Sequence, residues 1–338
     1  MILITGATGL IGAHLALELA KEGLFFSALR RENESINAPQ ALFKMHGLEN
    51  LLQNINWIEA DITDIPSLEL AFEGCEYLYH CEEKFSLNPA DEKEIRKINI
   101  EGTANVVNVA LSKQIKKICF LSATEALGSL PEIINPEENT KHQPIDEHNE
   151  WNAELYNSDY AISKYGAEME IWRGQQEGLK IVIVNPGVII SPDVQEWYPT
   201  AKYFYLLSKL SRTKNKFPPG GTGFVGVTDV AQSMIRLMNS TVSGSRYILV
   251  AENLTFHAFL QLIAKAKKSA SPTIPLHNWI AELTYRWNWL KSTVFWRKNS
   301  FSKADKTWLF EEKKYNNTKI KEKLHFEFAP ITTVIEER

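Results

Sequence analysis

Two side chains four residues apart set the chemistry open to this chain. Tyr160 and Lys164 lie in Ser158-Asp159-Tyr160-Ala161-Ile162-Ser163-Lys164. A helix there places both on one face. A phenol ordinarily titrates near ~10 and exchanges protons poorly at neutral pH. A neighbouring ammonium favours the phenolate and lowers that value. The pair can then pass a proton to or from a substrate hydroxyl or carbonyl while a hydride moves. The lysine can also hold a ribose. A YxxxK pattern alone is common and usually marks a solvated helix face. Its weight here comes from the residues that precede it.

Those residues begin at the N-terminus. Met1-Ile2-Leu3-Ile4 is a short apolar run, and Thr5-Gly6-Ala7-Thr8-Gly9-Leu10-Ile11-Gly12 follows at once. This reads as a buried strand, a glycine turn and a helix. Gly6 makes the tight turn, Gly9 lets backbone approach a pyrophosphate, and Gly12 lets helix pack on strand. Helix N-terminal amides then favour a bound diphosphate. The amphipathic run Leu10, Ile11, Leu15 and Leu19 supplies the helix that the pattern requires.

The elements that must position these residues alternate. Strands are expected at 25–29, 55–60, 77–81, 117–122 and 180–185, with helices between them, most clearly at 94–112 and 160–177. Such alternation predicts an α/β fold, a doubly wound parallel sheet with helices on both faces. Ligands bind at the carboxyl ends of such strands. From about residue 190 the pattern breaks up at Pro192, Pro199, Pro218 and Pro219 and at Gly220-Gly221-Thr222-Gly223. Helices are expected at 228–239 and 255–268. We read 1–189 as a dinucleotide-binding domain, with later returns near 224–250. Residues 190–338 read as a smaller mixed α/β substrate region.

Bulk properties narrow the class. The chain has 338 residues, is 44% hydrophobic and 23% charged, and carries a net charge of −4. These values suit a globular protein and give no footprint for nucleic acid. Cys75, Cys81 and Cys119 lie apart, without metal-ligand spacing, and read as reduced core thiols. His142 and His148 sit in a polar loop, no HExxH occurs, and no metal is expected. No apolar stretch is long enough to span a bilayer. The expectation is a cytoplasmic protein with a small-molecule substrate and no membrane or nucleic-acid partner. A homodimer stays open.

With these motifs in place, the chain resembles the extended short-chain dehydrogenase/reductases of the NAD(P)-dependent epimerase/dehydratase type. The matching residues are the TGATGLIG start, Asp61-Ile62, Asn99-Ile100-Glu101-Gly102-Thr103, Tyr160/Lys164, Asn185-Pro186-Gly187 and Gly226-Val227-Thr228-Asp229-Val230. They cover roughly residues 1–270, and together they are specific. The resemblance implies a Rossmann fold, a nicotinamide dinucleotide and a Ser/Thr-Tyr-Lys set. It implies that Gly6, Thr8, Gly9, Leu10, Ile11 and Gly12 cradle the pyrophosphate. Asp61 and Ile62 would contact the adenine. Cys81, Pro186 and Val188 would border the cofactor, and Lys164 would hold its ribose. Relatives that prefer NAD usually end the second strand on an acid. Here it ends Leu29-Arg30-Arg31, and arginine suits a 2′-phosphate. NADP is therefore expected ahead of NAD, with Arg30 as the selector.

The chain also departs from the family pattern. Ala123 occupies the Ser/Thr position, with Ser122 and Thr124 on either side. Thr124 is the candidate replacement and Ser122 is read as structural. The fourth strand ends His80-Cys81-Glu82-Glu83 where relatives have small residues, and two carboxylates near a diphosphate oppose its binding. Reduction of a carbonyl on a small apolar substrate is the first reading, on the dihydroflavonol-reductase and hydroxysteroid-dehydrogenase side of the superfamily. A nucleotide-sugar epimerase or dehydratase, or a non-catalytic dinucleotide binder, are the alternatives. Trp279, Trp287, Trp289, Trp296 and Trp308 gather late in the chain. They are expected to form the core of the small region and a wall of the substrate pocket.

Overall fold

A computed structural model describes residues 1–86, 88–128, 143–191, 215–295 and 303–336. The side chains of Pro89 and of 288–295 fall outside that description. The expected alternation is present. β1 (Ile2–Thr5), α1 (Leu10–Lys21), β2 (Phe26–Arg30), α2 (Asn37–Met45), β3 (Ile55–Glu59), α3 (Ile65–Ala71) and β4 (Tyr77–His80) come first. Next come α4 (Glu92–Arg96), a π-helical turn over Lys97–Glu101, α5 (Gly102–Ser112), β5 (Lys117–Leu121), α6 (Asp159–Gln176) and β6 (Ile181–Pro186).

Hydrophobicity explains which strands lie centrally. Every residue of β5 and β6 is buried, as both faces of a helix-covered parallel sheet require. β3 alternates more and lies at the edge. The seven-stranded parallel sheet runs β10-β6-β5-β4-β1-β2-β3, where β10 is Ser245–Leu249. The sheet thus completes itself with a late strand, paired with β6 from Ser245 opposite Val182 to Leu249 opposite Pro186.

The chain reverses strand order between β1 and its two neighbours, β2 and β4. That crevice is the usual ligand site of an open α/β sheet. One apolar cluster fills the space under α1 and the helix Val227–Asn239. A second fills the space under α3, α5 and α6.

Beyond β6 lie smaller pieces. β7 (Val188–Ile190), β9 (Gly221–Gly226) and β11 (Glu252–Thr255) make a three-stranded sheet, and β8 (Lys216–Phe217) pairs with β12 (Ile274–Pro275). A third apolar cluster joins Phe224, Phe256, Phe259, Leu309 and Ile331 from this part.

The aromatic tail divides. Trp308 packs on Phe256 at 4.4 Å between ring centroids. Trp279 and Trp287, expected in the core, are 64% and 59% exposed. They stand eight residues apart on the helix Asn278–Phe295, with exposed Leu283 between them. That spacing repeats one helical face, and the face is turned outward. The side chain of Trp289 and all of Trp296 lie outside the described residues.

Candidate active site

The glycine turn is tight by necessity. Gly6 has φ +67°, and a Cβ there would stand 2.6 Å from the Cys81 carbonyl carbon and the Glu82 nitrogen. A Cβ on Gly12 would come within 2.1 Å of the Gly6 oxygen. Only glycine at both places lets α1 start this close to β1 and β4. Gly9 is the N-cap of α1 and offers no side chain to its first amides. Those amides and the helix dipole can therefore face an anion.

From this turn a cavity of about 620 Å³ runs along the carboxyl ends of the strands. Gly6, Thr8, Gly9, Leu10, Ile11 and Gly12 line its middle. Arg31, Glu34, Ser35 and Ala38 line one end. Ala123, Tyr160, Pro186 and Val188 line the other, and Cys81, Glu82 and Glu83 form the wall between the ends.

Not every expected residue reaches it. Arg30 turns away and pairs with Glu59 of the neighbouring strand at 3.0 Å. Arg31, the next residue, lines the cavity, because side chains alternate along a strand. Asp61 and Ile62 are not among the lining residues. The Asp61 carboxylate accepts from the Thr63 amide and hydroxyl, each at 2.7 Å, and Ile62 packs where Gly102 leaves room.

Thr124 is also absent from the lining. Ala123 is extended and a 3-10 turn begins at Thr124, so the Ala123 methyl meets the cavity. The Thr124 hydroxyl instead donates to Glu125 at 3.4 Å. Ser122 donates to the buried carboxylate of Glu168 at 2.5 Å, which also accepts from Asn185 at 2.6 Å. Ser122 lines the cavity, but its hydroxyl is committed to Glu168. The position that carries a hydroxyl in the family pattern thus presents only a methyl to the cavity.

Tyr160 and Lys164 are brought together. Ser158 caps α6, accepting from the Ala161 amide at 3.1 Å, and so fixes where the helix starts. Tyr160 reaches the cavity. Lys164 is 1% exposed, and its Nζ donates to the Leu121 carbonyl at 2.8 Å. Beneath it His80 is fully buried between Thr5 Oγ1 at 2.7 Å and Thr103 Oγ1 at 3.0 Å. Burial pushes His80 down to about 3, so it stays neutral.

Glu83, expected with Glu82 as a negative charge opposing the diphosphate, is engaged instead with Tyr160 and Lys164. Glu83 Oε2 accepts from the Tyr160 hydroxyl at 3.1 Å and pairs with Lys164 Nζ at 2.9 Å. The unexpected acids at 82 and 83 were the available signal. What they did not reveal was the side each would take. Glu82 goes the other way, 3.7 Å from Arg31, with its side chain 12% exposed. Burial is the main cause that pushes the Glu82 carboxyl up to about 7, against the pull of Arg31.

Comparison with known proteins places this geometry. The model of the NAD-dependent epimerase/dehydratase family matches residues 2–250. The chain belongs to that family. Among its relatives, this epimerase/dehydratase-family chain is 29% identical over 291 residues to a putative dihydroflavonol 4-reductase of Synechocystis sp., spanning 84% of this chain and 77% of that one. It is 26% identical to sterol demethylase protein B of Methylococcus capsulatus, spanning 81% and 76%. The crystal structure of gox2253 superposes with a TM-score of 0.80 at 23% identity, over 99% of this chain and 96% of that one. UDP-glucose 4-epimerase of Thermotoga maritima superposes with a TM-score of 0.73 at 18% identity, over 99% and 96%. At those identities the structural likeness concerns the fold.

The family's cofactor is a nicotinamide dinucleotide, and the cavity fits one by its own features. The glycine turn leaves space that a Cβ would fill, α1 presents uncapped amides, and the long cavity joins Arg31 to Tyr160. The glycine turn and α1 would hold the diphosphate. Pro186 and Val188 would border the nicotinamide. Among the described residues no helix is long and apolar enough to cross a membrane.

Proposed function

We propose that this chain is an NADP-linked reductase of a carbonyl on a small apolar substrate. The observation that carries the reading is the placement of Tyr160, held by the Glu83 carboxylate that also pairs with Lys164, at the cavity end away from Arg31. Its relatives named as dihydroflavonol, cinnamoyl-CoA and anthocyanidin reductases support a reductase over an epimerase.

When bound, the dinucleotide supplies a hydride. The chain's own residues handle everything else. Tyr160 gives its proton to the substrate oxygen. Lys164, fixed by the Leu121 carbonyl, pairs with Glu83 behind Tyr160. The substrate body would rest on Phe85, Ala304 and Trp308, which pack against Ala123 and Tyr160. That wall is apolar, which argues for an apolar substrate. Residues 190–338 supply part of it and act as the substrate region. Arg31 would face a 2′-phosphate after parting from Glu34 at 3.4 Å and Glu82 at 3.7 Å.

The test is calorimetric titration with NADPH and NADH, followed by a screen of aldehydes and ketones with NADPH consumption as readout. Binding of NADPH ahead of NADH and turnover of an apolar carbonyl are expected. Dinucleotide binding without turnover of any carbonyl would replace the enzyme with a non-catalytic binder.

A further inference from the structure

Glu83 touches both members of the Tyr160–Lys164 pair through one oxygen, at 3.1 Å and 2.9 Å. Its backbone is fixed from behind. The buried side chain of Asn99, in the π-helical turn, accepts from the Lys84 amide at 2.7 Å and donates to the Lys84 carbonyl at 3.0 Å. Asn99 Nδ2 also donates to Ser163 Oγ at 2.9 Å, beside Lys164. One side chain thus ties the residue after Glu83 to the helix that carries Tyr160 and Lys164. Phe85 closes the other flank, edge-on to Tyr160 at 4.7 Å between centroids.

This arrangement changes what the tyrosine can do. A lysine alone draws a phenol toward the phenolate. A carboxylate on the same hydroxyl accepts its hydrogen and opposes a second negative charge. Glu82 and Glu125 line the same cavity. Lys84 extends to Glu94 at 3.0 Å. Neutral His80 lies beneath Lys164, and burial pushes the Cys81 thiol up. Lys164 spends its charge on Glu83 and the Leu121 carbonyl.

We propose that Glu83 keeps the Tyr160 proton in place, so that Tyr160 works as a neutral acid that gives its own proton to the substrate oxygen. The proposal rests on the carbonyl-reduction reading above. The substrate carbon receives the electron pair as hydride from a reduced nicotinamide dinucleotide. The substrate oxygen takes the Tyr160 proton, and the phenolate left behind is reprotonated from solvent, with Glu83 a carboxylate before and after. The Glu83 side chain is 19% exposed, so solvent reaches it.

The deciding experiment needs no substrate. Phenolate absorbance is followed against pH in the native protein and in Glu83→Gln, each read as the difference from its Tyr160→Phe counterpart. In the native protein the Tyr160 midpoint should stay at or above the ordinary phenol value near ~10. A native midpoint near neutrality overturns the proposal, even if no Glu83 variant folds. Glu83→Gln should lower the midpoint by on the order of one pH unit, because Lys164 then acts unopposed. Glu83→Asp, which keeps the charge, should stay near the native value. Equal midpoints in the native protein and Glu83→Gln overturn the proposal.

A second readout uses any carbonyl found by the screen. The alkaline limb of its reduction rate should follow the Tyr160 midpoint, near ~10 in the native protein and on the order of one pH unit lower in Glu83→Gln. An alkaline limb that does not move overturns the proposal. A high native midpoint without turnover of any carbonyl would sustain the Tyr160–Glu83 pairing and dismiss the reductase reading.

Discussion

Glu82 and Glu83 are neighbours, yet they serve opposite ends of one cavity. At the end lined by Arg31, where the adenosine would lie, Glu82 stands beside that guanidinium and shares it with Glu34. Toward the reacting end, Glu83 joins Tyr160 and Lys164. At the first place the acids weaken a site for phosphate, since they occupy the cation a phosphate would use. At the second the acid adds to a proton-handling set that lacks its usual hydroxyl. The same side-chain chemistry is a cost at one end and a working part at the other. Position on an extended segment, where neighbours face opposite ways, makes the difference.

Breaking the reacting end should have the largest effect. Tyr160→Phe removes the proton donor and should lower carbonyl reduction by about 100-fold or more. The calorimetric affinity for the dinucleotide should hold. An equal loss in both would erase the distinction between the two ends.

Next comes the turn between them. In Gly12→Ala the added methyl meets the Gly6 oxygen. The overpacking should cost about 1–3 kcal/mol of stability in urea unfolding. Dinucleotide binding should weaken with it.

A third test sharpens the adenosine end through pH. The Glu82 carboxyl is raised from 4.5 to about 7 in the folded chain. A raised carboxyl binds its proton more tightly when folded. Its stabilising contribution is therefore complete below the unfolded value and is lost as pH rises through about 7. Dinucleotide affinity should fall over the same range, as Glu82 becomes an anion facing another anion. Glu82→Gln should flatten both profiles, gaining up to about tenfold in affinity at pH 8. Profiles that stay unchanged would remove Glu82 from the cavity's electrostatics.

Arg31→Ala should reduce the preference for NADPH over NADH by about fivefold, near 1 kcal/mol. Arg30→Ala should leave that preference alone, as competition binding of the two dinucleotides would report. The smallest effect is expected from Thr124→Val. Its hydroxyl serves Glu125, and turnover should stay within about threefold. A loss like that of Tyr160→Phe would return Thr124 to the reaction.

Much of this was legible from the residues. The glycine spacing, the apolar runs of β5 and β6, and the Tyr160–Lys164 interval are local signals, and each fixes an element or a face. Ala123 also announced a missing hydroxyl. What stayed hidden depends on where one strand or turn stops. Whether Arg30 or Arg31 faces the cavity turns on a single residue of register at the end of β2. Thr124 points away because a 3-10 turn starts there, and its sequence gave no mark of that. The meeting of Glu83 with Lys164 joins distant parts of the sequence and rests on Asn99, which no local pattern links to either. Trp279 and Trp287 were misjudged because aromatic content speaks of burial in general and not of which helix face turns outward.

The late arrival of β10 bears on how the chain is made. Until Ser245–Leu249 leaves the ribosome, β6 has an open flank of Ile181, Val182, Ile183 and Val184. An unpaired apolar strand of that kind is a template for a second chain. At ordinary elongation rates the exposure lasts several seconds. A nascent chain halted before Ser245 should therefore draw chaperones or self-associate, and one carried past Leu249 should not. The late strand that takes over this edge is also the point in synthesis at which the apolar flank of β6 is covered.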